Sequence, residues 1–208
     1  MLTGREALDR LREGNRRFAS DESSGADLAS KKRRAELTSG QEPFAIILGC
    51  ADSRAPAELV FDQGLGDLFV IRVAGNIVAS SQVGSVEFAA ARFGTRLVVV
   101  MGHSQCGAVQ TTLDQLQQHS DLRSPNLRSI VARVRPAVEA LLSTGLVERP
   151  EELMNQAVRA NVRHSADQLR RGSRLLEGLI ESGELLVVGA EYSLETGVVD
   201  FFDGVPDE

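Results

Sequence analysis

Two hydrophobic rhythms divide the chain. Residues 45–48, 68–73, 97–101 and 185–188 are short, nearly unbroken apolar runs rich in β-branched side chains. Runs of this kind predict strands buried on both faces, the habit of a parallel sheet. Between them, apolar residues recur every three or four positions and predict helices. Thr3-Gly-Arg-Glu6 fits a capping box and opens the first, with Leu8, Leu11, Asn15 and Phe18 at helical spacing. After a loop at 20–25, a more polar helix is predicted over 27–37. A short one follows at 56–61, and another at 83–93 ends on Gly94. Further helices are predicted at 108–118, 153–171 (with Val158, Val162 and Leu169 inward) and 173–181. Ser124-Pro125 starts a stripe of Ile130, Val134, Val138 and Leu141, which Pro136 is expected to kink or divide. Glu195-Thr196-Gly197 is a hairpin turn within 192–202.

Strands alternating with helices across short links predict an α/β fold. Its centre is a mainly parallel sheet flanked by helices, with an N-terminal helical arm and a C-terminal hairpin. There is no repeat and no linker, so 1–208 is read as a single domain. The apolar stripe of the arm, 1–40, needs a surface to cover it. That surface is either its own core or a partner subunit, and the arm is expected to pack on a partner.

Composition narrows the partners. A net charge of -6 argues against nucleic acid, although Lys31-Lys32-Arg33-Arg34 forms a basic run, read as a solvated helix face. No apolar run approaches bilayer length, and MLTGREALDRL lacks a basic-then-apolar leader, so no membrane partner and a cytoplasmic location are expected. The chain has only two cysteines and no C-x-x-C, which turns attention from disulfides to metal ligation.

Both cysteines follow buried strands, in FAIILGCADSR and RLVVVMGHSQCG. Ligands bind outside the carboxyl ends of parallel strands, so Cys50, Asp52, Arg54, His103 and Cys106 are predicted at one rim. Two thiolates and a neutral imidazole suit zinc with an open fourth position, as in catalytic sites. Cys106 stands near a helix start, where free amides lower a thiol pKa. Asp52 can take the fourth position and close the site, or accept hydrogen bonds from Arg54 and leave room for water. Taken singly, a buried cysteine is commonly just a small hydrophobe, and an Asp–Arg pair a surface ion pair. Three zinc-competent side chains at adjacent strand ends weaken that plain reading.

Cys50-Ala-Asp52-Ser-Arg54 followed by His103-Ser-Gln-Cys106-Gly107 resembles the β-class carbonic anhydrases, and the similarity runs over nearly the whole chain. The resemblance implies zinc-dependent interconversion of carbon dioxide and bicarbonate by zinc-hydroxide attack. It also implies a homodimer or dimer of dimers with sites at the subunit interface. Cys50, His103 and Cys106 become the zinc ligands, Asp52 and Arg54 the catalytic dyad. Gln41 falls where some members reach the substrate across the interface. Phe69 and Phe88 fall where apolar side chains line the carbon dioxide pocket, with core packing as their plain alternative. The Gly107 amide is placed to hold a substrate oxygen. Ile47 stands where some bacterial members carry a tryptophan of a non-catalytic bicarbonate pocket. Some relatives act on carbonyl sulfide or carbon disulfide instead, and a structural zinc site is the non-enzymatic alternative. His119 and His164 are read as surface histidines, with a proton shuttle the alternative.

Overall fold

The computed structural model describes residues 2–24, 28–118 and 124–206. Gly25, at the end of the predicted loop, Asp27, at the start of the second helix, and His119 lie outside the described residues. Five strands form one sheet in the order β2-β1-β3-β4-β5: β1 Ala45–Gly49, β2 Leu68–Arg72, β3 Leu97–His103, β4 Leu186–Tyr192 and β5 Val199–Asp203. All pairs are parallel except β4 with β5, which the 195–197 turn joins as an antiparallel hairpin. The helices are α1 Gly4–Ala19, α2 Lys31–Glu36, α3 Ala57–Val60, α4 Ser80–Phe93, α5 Gly107–Gln118, α6 Pro125–Val138, α7 Pro150–Arg171 and α8 Arg174–Glu181.

Both faces of the sheet are covered, which is why its strands read as continuous apolar runs. Ala45, Ile47, Val99 and Met101 face α1 and α3, with Leu8, Leu11 and Phe61. Ile46, Leu48, Val98 and Val100 face the other way, with Val86 of α4, Val162 and Leu169 of α7 and Leu176 of α8. A third cluster lies beyond the strand ends, where Cys50 and Cys106 pack with Ile77, Val109, Val134 and Val158. Among the described residues no helix is long and apolar enough to cross a membrane.

The capping box on Thr3 and Glu6 is formed. Of the two surfaces open to the first helix, its inner face takes its own chain's core, since Ala7, Leu8 and Leu11 are buried there. The basic run of α2 is tied locally: Arg33 donates to Asp67 and to the Leu65 carbonyl, and Arg34 to the Ala29 carbonyl. Two strands outrun their prediction. β3 and β4 stay paired as far as His103↔Tyr192, because each supplies the other's backbone partners beyond the apolar stretch. Pro136 does not divide α6 at its own position. It lies in the last turn, where it costs one backbone bond, and the helix ends at Val138 before a 3-10 turn, Glu139–Ser143.

Candidate metal centre

The β1–β3 pairing sets Gly49 beside Met101, so the residues that follow each strand emerge together. Cys50 leaves β1, His103 ends β3, and Cys106 immediately precedes α5. Their donor atoms all lie within 4.8 Å of one another, with the two sulfurs 3.9 Å apart. Two thiolates about 2.3 Å from one tetrahedral zinc stand roughly 3.8 Å apart. The cysteines are buried, His103 fully so.

Each donor is oriented from behind. The Nδ1 of His103 is 2.9 Å from the Ser104 carbonyl, which assigns it the proton and leaves the Nε2 lone pair for the cluster. Nε2 is buried with no hydrogen-bond partner among the described residues. The Gly75 N–H donates to Cys50 Sγ at 3.3 Å. The Ala108 and Val109 amides, at the start of α5, are directed at Cys106. Gln105, between two of the donors, is left-handed with φ 56°.

Alone, the two thiols behave as one acid. Cys50 ionises first: the Cys106 thiol beside it outweighs burial, and His103 with the Gly75 and Asp52 amides brings it to about 4. The Cys50 thiolate and burial then push the Cys106 thiol up, overriding the α5 amides. The lowering expected from the helix start is therefore reversed by a nearer charge. His103 is raised although it is buried, because Cys50 faces it. A thiolate, a thiol that a cation would ionise and an orphaned buried nitrogen are a set that a divalent cation neutralises and completes.

Asp52 borders this set without joining it. Its Oδ1 accepts from the Arg54 backbone N–H and Nε, both at 2.9 Å, and its Oδ2 from Nη2 at 2.8 Å. Oδ2 also stands 3.8 Å from His103 Nε2. Arg54 holds the Asp52 carboxyl well below the usual carboxylate range, against some burial. Arg72 ends β2 beside Gly49 and donates to the carbonyls of Cys50 and Asp52, fixing the loop between them. Neither Arg72 nor Gly75 stood out in the sequence; a guanidinium closing an otherwise apolar strand was the available signal for the first.

Of the remaining candidates, Gly107 falls at the site and the others fall elsewhere. Gly107 begins α5 next to Cys106 and is near the donors. Phe69 pairs with Ile46, four residues before Cys50, or roughly 13 Å down the strand. Its ring meets Phe88 at 6.2 Å and Phe93 at 6.0 Å. Gln41 precedes β1 and lines a groove with Arg10, Phe44, Arg92 and Phe93. Within one chain, Gln41, Phe69 and Phe88 thus sit at the opposite end of the strands from the donors. His164 is half-buried on α7 and lines a cavity with Val78 and Val83, also apart from them.

A profile of the carbonic anhydrase family matches residues 45–199. The chain belongs to this family. Carbonic anhydrase 2 of Mycobacterium tuberculosis is 40% identical over 187 residues, covering 90% of this chain and 87% of that one. The carbonic anhydrase of Mycolicibacterium smegmatis is 39% identical over 194 residues, covering 91% and 89%. Among solved β-carbonic anhydrases, CcaA superimposes with a TM-score of 0.72 at 26% identity, covering 98% of this chain and 93% of that one. A tetrameric β-carbonic anhydrase of Sordaria macrospora shares the fold, with a TM-score of 0.70 at 21% identity, covering 95% and 97%.

Proposed function

We propose that the protein catalyses the reversible hydration of carbon dioxide to bicarbonate and a proton, with zinc held by Cys50, His103 and Cys106. The observation that carries this reading is a three-donor set bordered by a carboxylate that Arg54 holds aside. It leaves a fourth position for chemistry where a structural site is closed. Bound there, zinc supplies Lewis acidity that brings the pKa of a water toward neutrality.

The chain's own residues do the rest. Asp52, kept anionic by Arg54, acts purely as an acceptor at neutral pH. Its place beside His103 Nε2 lets it accept a hydrogen bond from the attacking water and aim a lone pair at the carbon. Arg54 grips both carboxylate oxygens, so the acceptor cannot swing. Arg72 holds the main chain beneath it. Gly107, the first residue of α5, offers its amide to a substrate oxygen.

Carbon dioxide needs an apolar wall that one chain does not place beside the donors. We assign Gln41, Phe69 and Phe88 to the site of a neighbouring copy. Phe88 is 54% exposed within a cluster of three phenylalanines, a surface that such a contact covers. A homodimer, alone or doubled into a tetramer, is the smallest complete unit, with the outer face of the N-terminal arm resting on the partner. Two free thiols serving as ligands fit a reducing cytoplasm.

The test is Asp52→Asn, with zinc content and stopped-flow hydration measured together. Zinc should be retained while turnover falls about 10–100-fold. Unchanged turnover removes Asp52 from the mechanism, and loss of zinc makes it a ligand instead.

A further inference from the structure

α7 carries two buried polar side chains, Asn161 and Ser165, within its inward stripe. Asn161, between Val158 and Val162, is 1% exposed. The helix approaches the sheet closely there, since a Cβ on Gly102 would lie 2.6 Å from Val162 Cγ2. Asn161 Nδ2 donates to the Gly75 carbonyl at 2.8 Å, while its Oδ1 has no partner among the described residues. A buried amide left half satisfied costs stability relative to an apolar residue. Positions that break a local rule at such a cost gather at functional sites.

What Asn161 touches supplies the function. The Gly75 carbonyl belongs to the residue whose N–H donates to Cys50 Sγ. Gly75 has φ +72°, a conformation open to glycine but not fixed by it, because glycine populates both signs of φ. The Asn76 N–H to Val73 carbonyl bond closes the turn, and the Asn161 bond holds the Gly75 carbonyl within it, so the residue that presents its amide to Cys50 is fixed from both sides. A hydrogen bond to a ligating sulfur stabilises its thiolate and fixes its direction, and groups behind the ligands support affinity in this way.

We propose that Asn161 is a positioning residue for the metal centre: by anchoring the Gly75 carbonyl it directs the Gly75 N–H onto the Cys50 thiolate. The grip of that sulfur on the ion follows from the aim of that amide. This rests on the metal assignment proposed above.

Asn161→Asp tests it, because the shape is kept while the donor is replaced by an oxygen. Three quantities are read on purified protein: the zinc dissociation constant by chelator competition, the sulfur-to-metal charge-transfer band after cobalt(II) substitution, and the melting temperature of the metal-free form. The dissociation constant should rise about 10–100-fold, and the cobalt band should move to longer wavelength as the thiolate loses its donor. Ser165→Ala, another buried polar position on α7, controls for simple loosening and should move neither. A variant that melts lower with an unchanged dissociation constant and band overturns the proposal, as does an equal response from Ser165→Ala. If Asn161→Asp does not fold, Asn161→Ser, whose hydroxyl falls one bond short of Gly75, is read by the same criteria. Wild-type protein that binds neither ion overturns the metal assignment and this inference together; wild-type binding with unaltered variants overturns this inference alone.

Discussion

Replacing Asn15 by alanine removes three hydrogen bonds that tie distant parts of the chain to α1. Its Nδ2 donates to the Val60 carbonyl at 3.1 Å and to the Gly197 carbonyl at 2.9 Å, and its Oδ1 accepts from the Val199 N–H at 2.8 Å. The side chain is buried, so α3 and the C-terminal hairpin share one dry anchor. Three bonds at about 1 kcal/mol each give about 3 kcal/mol, and the stranded backbone groups raise the cost toward about 5 kcal/mol. For a chain of this size the melting temperature should fall roughly 6–20 °C. Calorimetry must hold metal saturation and protein concentration fixed, because ligand binding and assembly both shift the transition. Thr3→Ala is the matched comparison: it removes an exposed cap worth about 1 kcal/mol, or roughly 2–4 °C. If Asn15→Ala melts no lower than Thr3→Ala, the count of buried bonds is refuted. The loosened hairpin also carries Leu194, whose N–H donates to Ser104 Oγ beside His103, so zinc affinity should decline in step.

Asp62 is buried; burial alone would raise its carboxyl, but Arg17 and Ser24 outweigh it and hold it low. A depressed folded pKa stabilises above the unfolded value of about 3.9 and is lost as pH falls through the folded one. Asp62→Asn should therefore be less stable than wild type at pH 7 in urea titrations, with the gap closing in acid. Gly102→Ala forces a Cβ against Val162 and should cost about 1–3 kcal/mol; the displaced α7 should weaken zinc retention, measured by chelator competition. At Gln105, left-handed with φ 56°, glycine should be tolerated within about 1 kcal/mol. Valine there should release the metal, seen as lost zinc after dialysis.

Much of this architecture was legible because strands covered on both faces leave long apolar runs, and 45–48 and 97–101 are such runs. The donors were legible for a chemical reason: cysteine and histidine are scarce, and they fell just past those runs. What escaped depended on neighbours far away in the chain. The ends of β3 and β4 are set by each other's register, not by local pattern. The Cys106 thiol follows the charge of Cys50, which helix position could not reveal. Parallel pairing puts Phe69 beside Ile46, so its distance from Cys50 was hidden until the register was known. Asn161 was a polar residue within an apolar stripe, but its target 86 positions earlier had no local sign.

The sulfurs that meet at the rim are 56 positions apart, and the span between them includes β2, α4 and β3. A chain emerging from the ribosome therefore cannot present a finished site while any of these remains unmade. On the metal assignment proposed above, uptake is expected to be a late step of maturation, a clasp fastened only after β1 and β3 have found each other. Labelled zinc should then enter newly made protein after the amides of both strands have become protected from exchange.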